Sequence, residues 1–175
     1  MARVLKSINF SYVAAEDRIL AAINPGGPEA WSCWLTRRLV LALLDRTSEF
    51  LASTSPLVRQ VPVAVRGELA TFEREAAMAS TARAMSTTPP DVLKASKTAA
   101  ELAEGVKISS QPNGFRVELQ GENGIGAAGL LTRAELQRVL QMLQAEAINA
   151  SWFAAQDKAP AGTTSDAAGP KPVQH

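Results

Sequence analysis

The sequence predicts an α+β fold built from two β-meander-plus-helix (βββα) repeats, joined by a long helix and related by a pseudo-twofold. Three observations lead there. Period-two apolar alternation, the pattern of a half-buried strand, occurs in two separate groups of short segments. Each group runs into apolar residues at three- and four-residue spacing, the pattern of an amphipathic helix. Both helices open on the same tripeptide, Leu35-Thr36-Arg37 in one and Leu131-Thr132-Arg133 in the other.

In the first repeat, residues 4–54, Ile8 to Val13 alternates as a strand, Ala14 to Asp17 turns, and Arg18 to Ile23 is a second strand. Asn24-Pro25-Gly26-Gly27-Pro28 is dense in chain-reversing residues, and Ala30 to Trp34 reads as a third, aromatic-rich strand. Thr36 suits an N-cap, and Leu39, Val40, Leu43, Leu44, Thr47, Phe50 and Leu51 fall on one helical face. Residues 55–86 read as a connecting helix that starts on Ser55-Pro56 and is broken or kinked early by Pro62. Residues 87–104 are a linker followed by a short helix over 94–104.

The second repeat, residues 105–155, has the same order. Val106 to Ser109 and Phe115 to Leu119 are strands about a turn at Gln111-Pro112-Asn113-Gly114, where Pro presets φ and Asn-Gly accepts the positive φ of a tight hairpin. A Gly-rich third segment ends at Leu131, and Thr132 with Glu135 forms a capping box for a helix carrying Leu136, Val139, Leu140, Leu143 and Ala147 on one face. A shift of 98 residues lays Ile8 on Val106, Phe10 on Ile108 and Arg18 on Arg116; a shift of 96 lays Leu35-Thr36-Arg37 on Leu131-Thr132-Arg133. Two such meanders cover their apolar faces either as one merged six-stranded sheet or as two sheets exchanging helices. Residues 1–155 are therefore one domain, and residues 156–175, rich in Ala, Pro, Gly, Thr and Ser, a disordered tail.

Glu16-Asp17-Arg18-Ile19-Leu20 followed by Trp34-Leu35-Thr36-Arg37-Arg38 resembles a pattern found in uncharacterised proteobacterial proteins, over about the first fifty residues, and implies no activity. The repeated layout is similar to that of the PUR-repeat and whirly nucleic-acid-binding proteins. Their units have four strands, and the similarity is one of topology without matching motif residues.

Composition narrows the function. The 175 residues are 46% hydrophobic and 20% charged, with 18 Lys and Arg against 17 Asp and Glu and a net charge of +1. That balance lacks the basic footprint of duplex-DNA binding. No run of about 18 apolar residues exists, so no membrane partner is expected. The single cysteine, Cys33, excludes an intrachain disulfide and a multi-cysteine zinc site, and the cytoplasm is the expected compartment.

The only histidine is His175, in the tail, so histidine-based catalysis and metal ligation lose their usual residue. Gly124-Ile125-Gly126-Ala127-Ala128-Gly129 matches the dinucleotide pattern in letters, but no parallel strand with an acidic end follows it. No catalytic residue, cofactor or metal is expected. The arginines are more informative: in a first helical turn a cation opposes the helix dipole by roughly 0.3–1 kcal/mol, so Arg37, Arg38 and Arg133 serve something other than their own helices. Two roles fit, contact with phosphate or acidic groups of a partner, or salt bridges to Glu16, Asp17 or another acid of the same chain. Trp31 and Trp34 point to opposite faces of one strand, so one is expected in the core and the other exposed or covered by another element. The expected partner-binding set is Tyr12, Arg18, Trp31, Trp34, Arg37, Arg38, Arg116 and Arg133. The expected function is a non-catalytic cytoplasmic interaction module, an adaptor or regulatory subunit, with a protein partner. The alternative is a single-stranded nucleic-acid-binding protein using the sheet aromatics and these arginines, and homo-oligomers are compatible with either.

Overall fold

The alternating segments of both halves are strands and the three- and four-spaced segments are helices in a computed structural model, which describes residues 2–55 and 89–153 together with 60, 62–65, 67–68, 71–72 and 75–76. In chain order these are β1 (Ala2–Val4), β2 (Ile8–Val13), β3 (Arg18–Ile23), β4 (Trp31–Leu35), α1 (Arg37–Thr54), a 3-10 turn (Val63–Val65), α2 (Pro90–Thr98), β5 (Glu101–Gln111), β6 (Gly114–Gly121), β7 (Gly126–Leu131) and α3 (Arg133–Asn149). The chain is α+β, a seven-stranded mixed sheet with the helices α1, α2 and α3.

Local chemistry explains the boundaries. Asp17 and Asn24 take positive φ at the ends of β3, and Gly114 takes φ +148 where β6 leaves the Pro112-Asn113 turn. A Cβ on Gly114 would lie 2.3 Å from the Leu131 carbonyl oxygen, so only glycine fits. The Thr36 hydroxyl accepts from the Leu39 N–H at 3.3 Å to start α1, and Thr132 with Glu135 forms the reciprocal capping box of α3.

The sheet order is β1-β7-β6-β5-β4-β3-β2. Each meander is antiparallel within itself, and two parallel joints connect them: β4 beside β5 through Cys33 and Trp34, and β7 beside β1 through Gly126 to Ala128. The two end strands of this order, β1 and β2, are separated by only Leu5-Lys6-Ser7. Seven flat strands would set the outer two about 29 Å apart at the usual strand spacing. The four peptide steps from Val4 to Ile8 reach at most about 15 Å. The sheet therefore curls until its ends meet.

Asn24 seals the meeting point. It is buried, and its side-chain oxygen accepts from the N–H groups of Lys6 (2.9 Å) and Ser7 (3.0 Å). Its amide nitrogen donates to the Val4 carbonyl at 2.6 Å, and its own N–H donates to the Ser7 carbonyl at 3.0 Å. The Leu5 N–H donates to the Ala128 carbonyl at 2.8 Å, so hydrogen bonding runs through the link.

The inner face carries the core. Ile19, Ala21, Ile23, Trp31, Cys33 and Leu35 of β3 and β4, Phe115, Val117 and Leu119 of β6, and Ala127 of β7 meet Val40 and Leu51 of α1 and Leu136, Leu140, Leu143 and Ala147 of α3. α1 and α3 touch each other, and α3 packs against β2 while α1 reaches β5. The outer face of β3 and β4 is also buried, and α2 packs against it.

Several boundaries differ from expectation. β1 has no alternation of its own to announce it, being three residues held by the β7 ladder. The helix expected over 94–104 ends at Thr98, and Glu101–Glu104 are strand, since pairing with β4 outweighs the helix preference of Ala, Leu and Glu. Most of the connecting helix over 55–86 lies outside the described residues. Within it, residues 67–68, 71–72 and 75–76 are helical, and the 3-10 turn follows Pro62. The tail over 156–175 also lies outside the described residues.

Asn24→Ala leaves the Lys6 and Ser7 N–H groups and the Val4 carbonyl without their partner. The expected loss is about 2–3 kcal/mol in urea denaturation, well above the few tenths expected for an exposed turn asparagine. A loss under about 0.5 kcal/mol would show that the link is not held by this side chain.

Candidate functional site

Arg37 and Arg133 occupy equivalent places, the first residue after the N-cap threonine of α1 and of α3. The Arg37 guanidinium donates to the Trp152 carbonyl at 2.8 Å, just past the end of α3. Arg133 donates to the Leu51 carbonyl at 2.9 Å and to the Thr54 hydroxyl at 3.0 Å, in the last turn of α1. The two helices thus lie head to tail, and each sends an arginine from its first turn to the carbonyl end of the other. There a cation is favourable, which offsets its cost at its own N-terminus. The partners are carbonyl and hydroxyl oxygens within the chain rather than carboxylates.

Each arginine sits in an aromatic setting. The Arg133 guanidinium lies 5.3 Å over the Phe115 ring, and Phe115 meets Phe50 edge to face at 5.7 Å. At the opposite end Tyr12 meets Trp152 edge to face at 5.9 Å. The Tyr12 hydroxyl and the Trp152 indole both donate to Asp17 at 3.1 Å, and the Tyr12 N–H donates to the Glu146 carboxylate at 2.7 Å. Desolvation first, then the hydrogen bond and charge of Asp17, hold the Tyr12 phenol above its ordinary pKa. Glu146 thereby satisfies a strand N–H that has no sheet neighbour on that side.

The remaining members of the expected set are scattered. Trp31 and Trp34 are both buried, on opposite faces of β4. Trp31 belongs to the core, and its indole donates to Glu101 at 2.6 Å; Trp34 shares the outer face with Ser32, whose hydroxyl donates to the Ser96 carbonyl of α2 at 2.6 Å. Arg116 is exposed and pairs with Glu118 at 2.6 Å, which holds that carboxyl below its usual pKa. Arg38 is exposed and Arg18 half-buried, and neither forms a side-chain hydrogen bond or ion pair among the described residues.

Glu101 is a junction the sequence did not single out. One carboxylate oxygen takes the Trp31 indole and the other the Asn123 N–H at 2.8 Å. It also lies beside Cys33 across the ladder, and burial together with the Glu101 charge pushes the Cys33 thiol up to about 12. No group of three His, Cys, Asp or Glu side chains suited to a metal occurs among the described residues. Gly126 and Gly129 lie in β7, where a Cβ would come within 2.3 Å of the Leu119 carbonyl and 2.8 Å of Leu5. Close strand packing accounts for these glycines.

One surface emerges only from the register. Val4, Ala128 and Leu130 lie together on the outer face of β1 and β7, where Val4 is 58% and Leu130 56% exposed. Arg116 stands opposite Leu130 and Glu118 opposite Ala128 on β6, so the ion pair edges the apolar strip. An open groove lined by Ala2, Arg3, Val4, Lys6, Glu29 and Ile125 adjoins it. No helix of the described residues is long and apolar enough to cross a membrane. No protein-family model, curated protein or solved structure matches the chain.

Arg133→Ala should cost about 2 kcal/mol in equilibrium unfolding, and Arg133→Lys should recover only part of it, since one ammonium cannot serve both acceptors and the Phe115 face. Full recovery by lysine would reduce the role to charge alone. Cys33 adds a pH dependence. Its thiol stays protonated in the folded chain to about pH 12 but ionises near 9.0 when unfolded, so this contribution is intact below pH 9 and lost as pH rises from 9 towards 12. Cys33→Ala should flatten that part of the Tm profile; an unchanged alkaline slope would contradict the assignment.

Proposed function

We propose that the chain is a non-catalytic, cytoplasmic interaction module, an adaptor or regulatory subunit, that binds a protein partner through the outer face of β1 and β7. The observation that carries this reading is the exposed Val4, Ala128 and Leu130 strip with the Arg116–Glu118 pair at its edge, an apolar centre with a charged rim. Apolar strands turned to solvent are a liability unless something covers them. A nucleic-acid surface is less well supplied. Tyr12, Trp31 and Trp34 are engaged internally, as are Arg37 and Arg133, leaving Arg18, Arg38 and Arg116 without a stacking platform beside them.

The scaffold presenting this strip is, in the same proposal, a duplicated βββα unit with a pseudo-twofold. Its support is the matching order of β2-β3-β4-α1 and β5-β6-β7-α3, the two parallel joints, and the reciprocal arginines. The proposed duplication accounts for an arginine at each helix start, because each copy needs the same contact to the other.

Leu130→Glu tests the partner reading without touching the core. Affinity capture from the native host with the unaltered chain should recover a stoichiometric protein, which Leu130→Glu loses and Arg38→Ala retains. Equal recovery by both variants would move the interface elsewhere. A salt-sensitive anisotropy change with single-stranded oligonucleotides, unaffected by Leu130→Glu, would favour nucleic acid instead.

A further inference from the structure

The outer face of β3 and β4 is built unlike the rest of the sheet surface. Leu20 lies opposite Trp34 and Ala22 opposite Ser32 in the ladder, so the four side chains form one patch pointing away from the core. All four are buried, yet Leu20, Ala22 and Trp34 take no part in the core cluster. Among the described residues the element that packs on them is α2, nine residues long, with no buried residue of its own. Val92, Leu93 and Ser96 are half-buried towards the sheet, and the other residues from Pro90 to Thr98 are exposed. Pro89 at its N-cap provides no side-chain cap bond. Among the described residues one side-chain hydrogen bond, from Ser32 to the Ser96 carbonyl, ties it to the sheet, and Val92 rests over Gly26.

A helix this short is marginal in water, so its order depends on docking. Its release would break the Ser32 to Ser96 hydrogen bond and open the patch on that side, leaving the enclosed core and both arginine contacts in place. We propose that α2 is a detachable strap: it lifts from β3 and β4 as a unit, in an equilibrium separate from global unfolding, and uncovers the Leu20 and Trp34 patch. The hinge is Ala99-Ala100, directly before β5, whose pairing with β4 and β6 stays formed. The patch is thus available only in the open state, and any ligand of that face draws on the open population.

Cys33 makes the test internal to one chain. It is buried on the core face of β4, whereas a thiol placed by Ala22→Cys on β3 lies under α2. In native buffer the introduced thiol should react with a disulfide reagent about tenfold or more faster than Cys33, with little urea dependence, as expected of a local opening. Val92→Asp should speed the introduced thiol further and leave Cys33 unchanged. Where the added sulfur disturbs the face, Leu20→Cys places the probe on the same patch and keeps the Ser32 bond. Reaction of both thiols at one rate with one urea dependence would show that α2 leaves only when the whole chain unfolds. Reaction as fast as a free thiol would show that α2 covers nothing. Either outcome overturns the proposal.

Discussion

The structure depends on one constraint: residues 2–13 serve both ends of the same sheet. β1 pairs with β7 and β2 with β3, and the three residues between them are too few to span a flat sheet. The sheet must curl, and curling turns its inner face into an enclosure that α1 and α3 fill. The close approaches follow. A Cβ on Gly129 would strike Leu5, where the link crosses β7, and one on Gly126 would strike the Leu119 carbonyl of neighbouring β6. Asn24 holds the crossing by supplying both an acceptor and a donor to backbone that has left the ladder.

Enclosure creates a second problem at the helix ends. Two helices laid head to tail leave carbonyls at each C-terminus, within a few residues of the other helix's start. Arg37 and Arg133 satisfy some of those carbonyls, and the two ends use different surroundings: a Phe50–Phe115 pair with a cation over one ring, and a Tyr12–Trp152 pair organised by Asp17. The same arginines that would decorate a binding surface on an open sheet are structural here. In the proposed function, partner binding therefore falls to the outside of β1 and β7.

Much of this was legible in the sequence, for stated reasons. Five of the seven strands follow from alternation and turn residues and β7 from its match to the first repeat, and Thr36 and Thr132 announce both helices through their hydroxyls. The Leu-Thr-Arg junctions were visible, and so was the electrostatic oddity of a cation in a first turn. What the guanidinium touches was not, because its acceptors lie 115 residues away for Arg37 and 82 and 79 for Arg133. β1 was hidden because three residues carry no period, and Glu101–Glu104 because helix-forming residues were recruited to a strand by β4 and β6. The Val4 and Leu130 strip was invisible for the same reason: only the parallel register of β1 on β7 brings it together.

Closure of the sheet is most directly read from amide hydrogen exchange at two positions. The Leu5 N–H bonds to Ala128 and the Asn24 N–H to Ser7, one on each side of the link. If the ends meet as described, both amides should be protected to within about tenfold of Val117 in the middle of β6, exchanging by the same global opening. Exchange at the rate of an exposed loop at either position, with Val117 still protected, would mean an open sheet and would contradict the account.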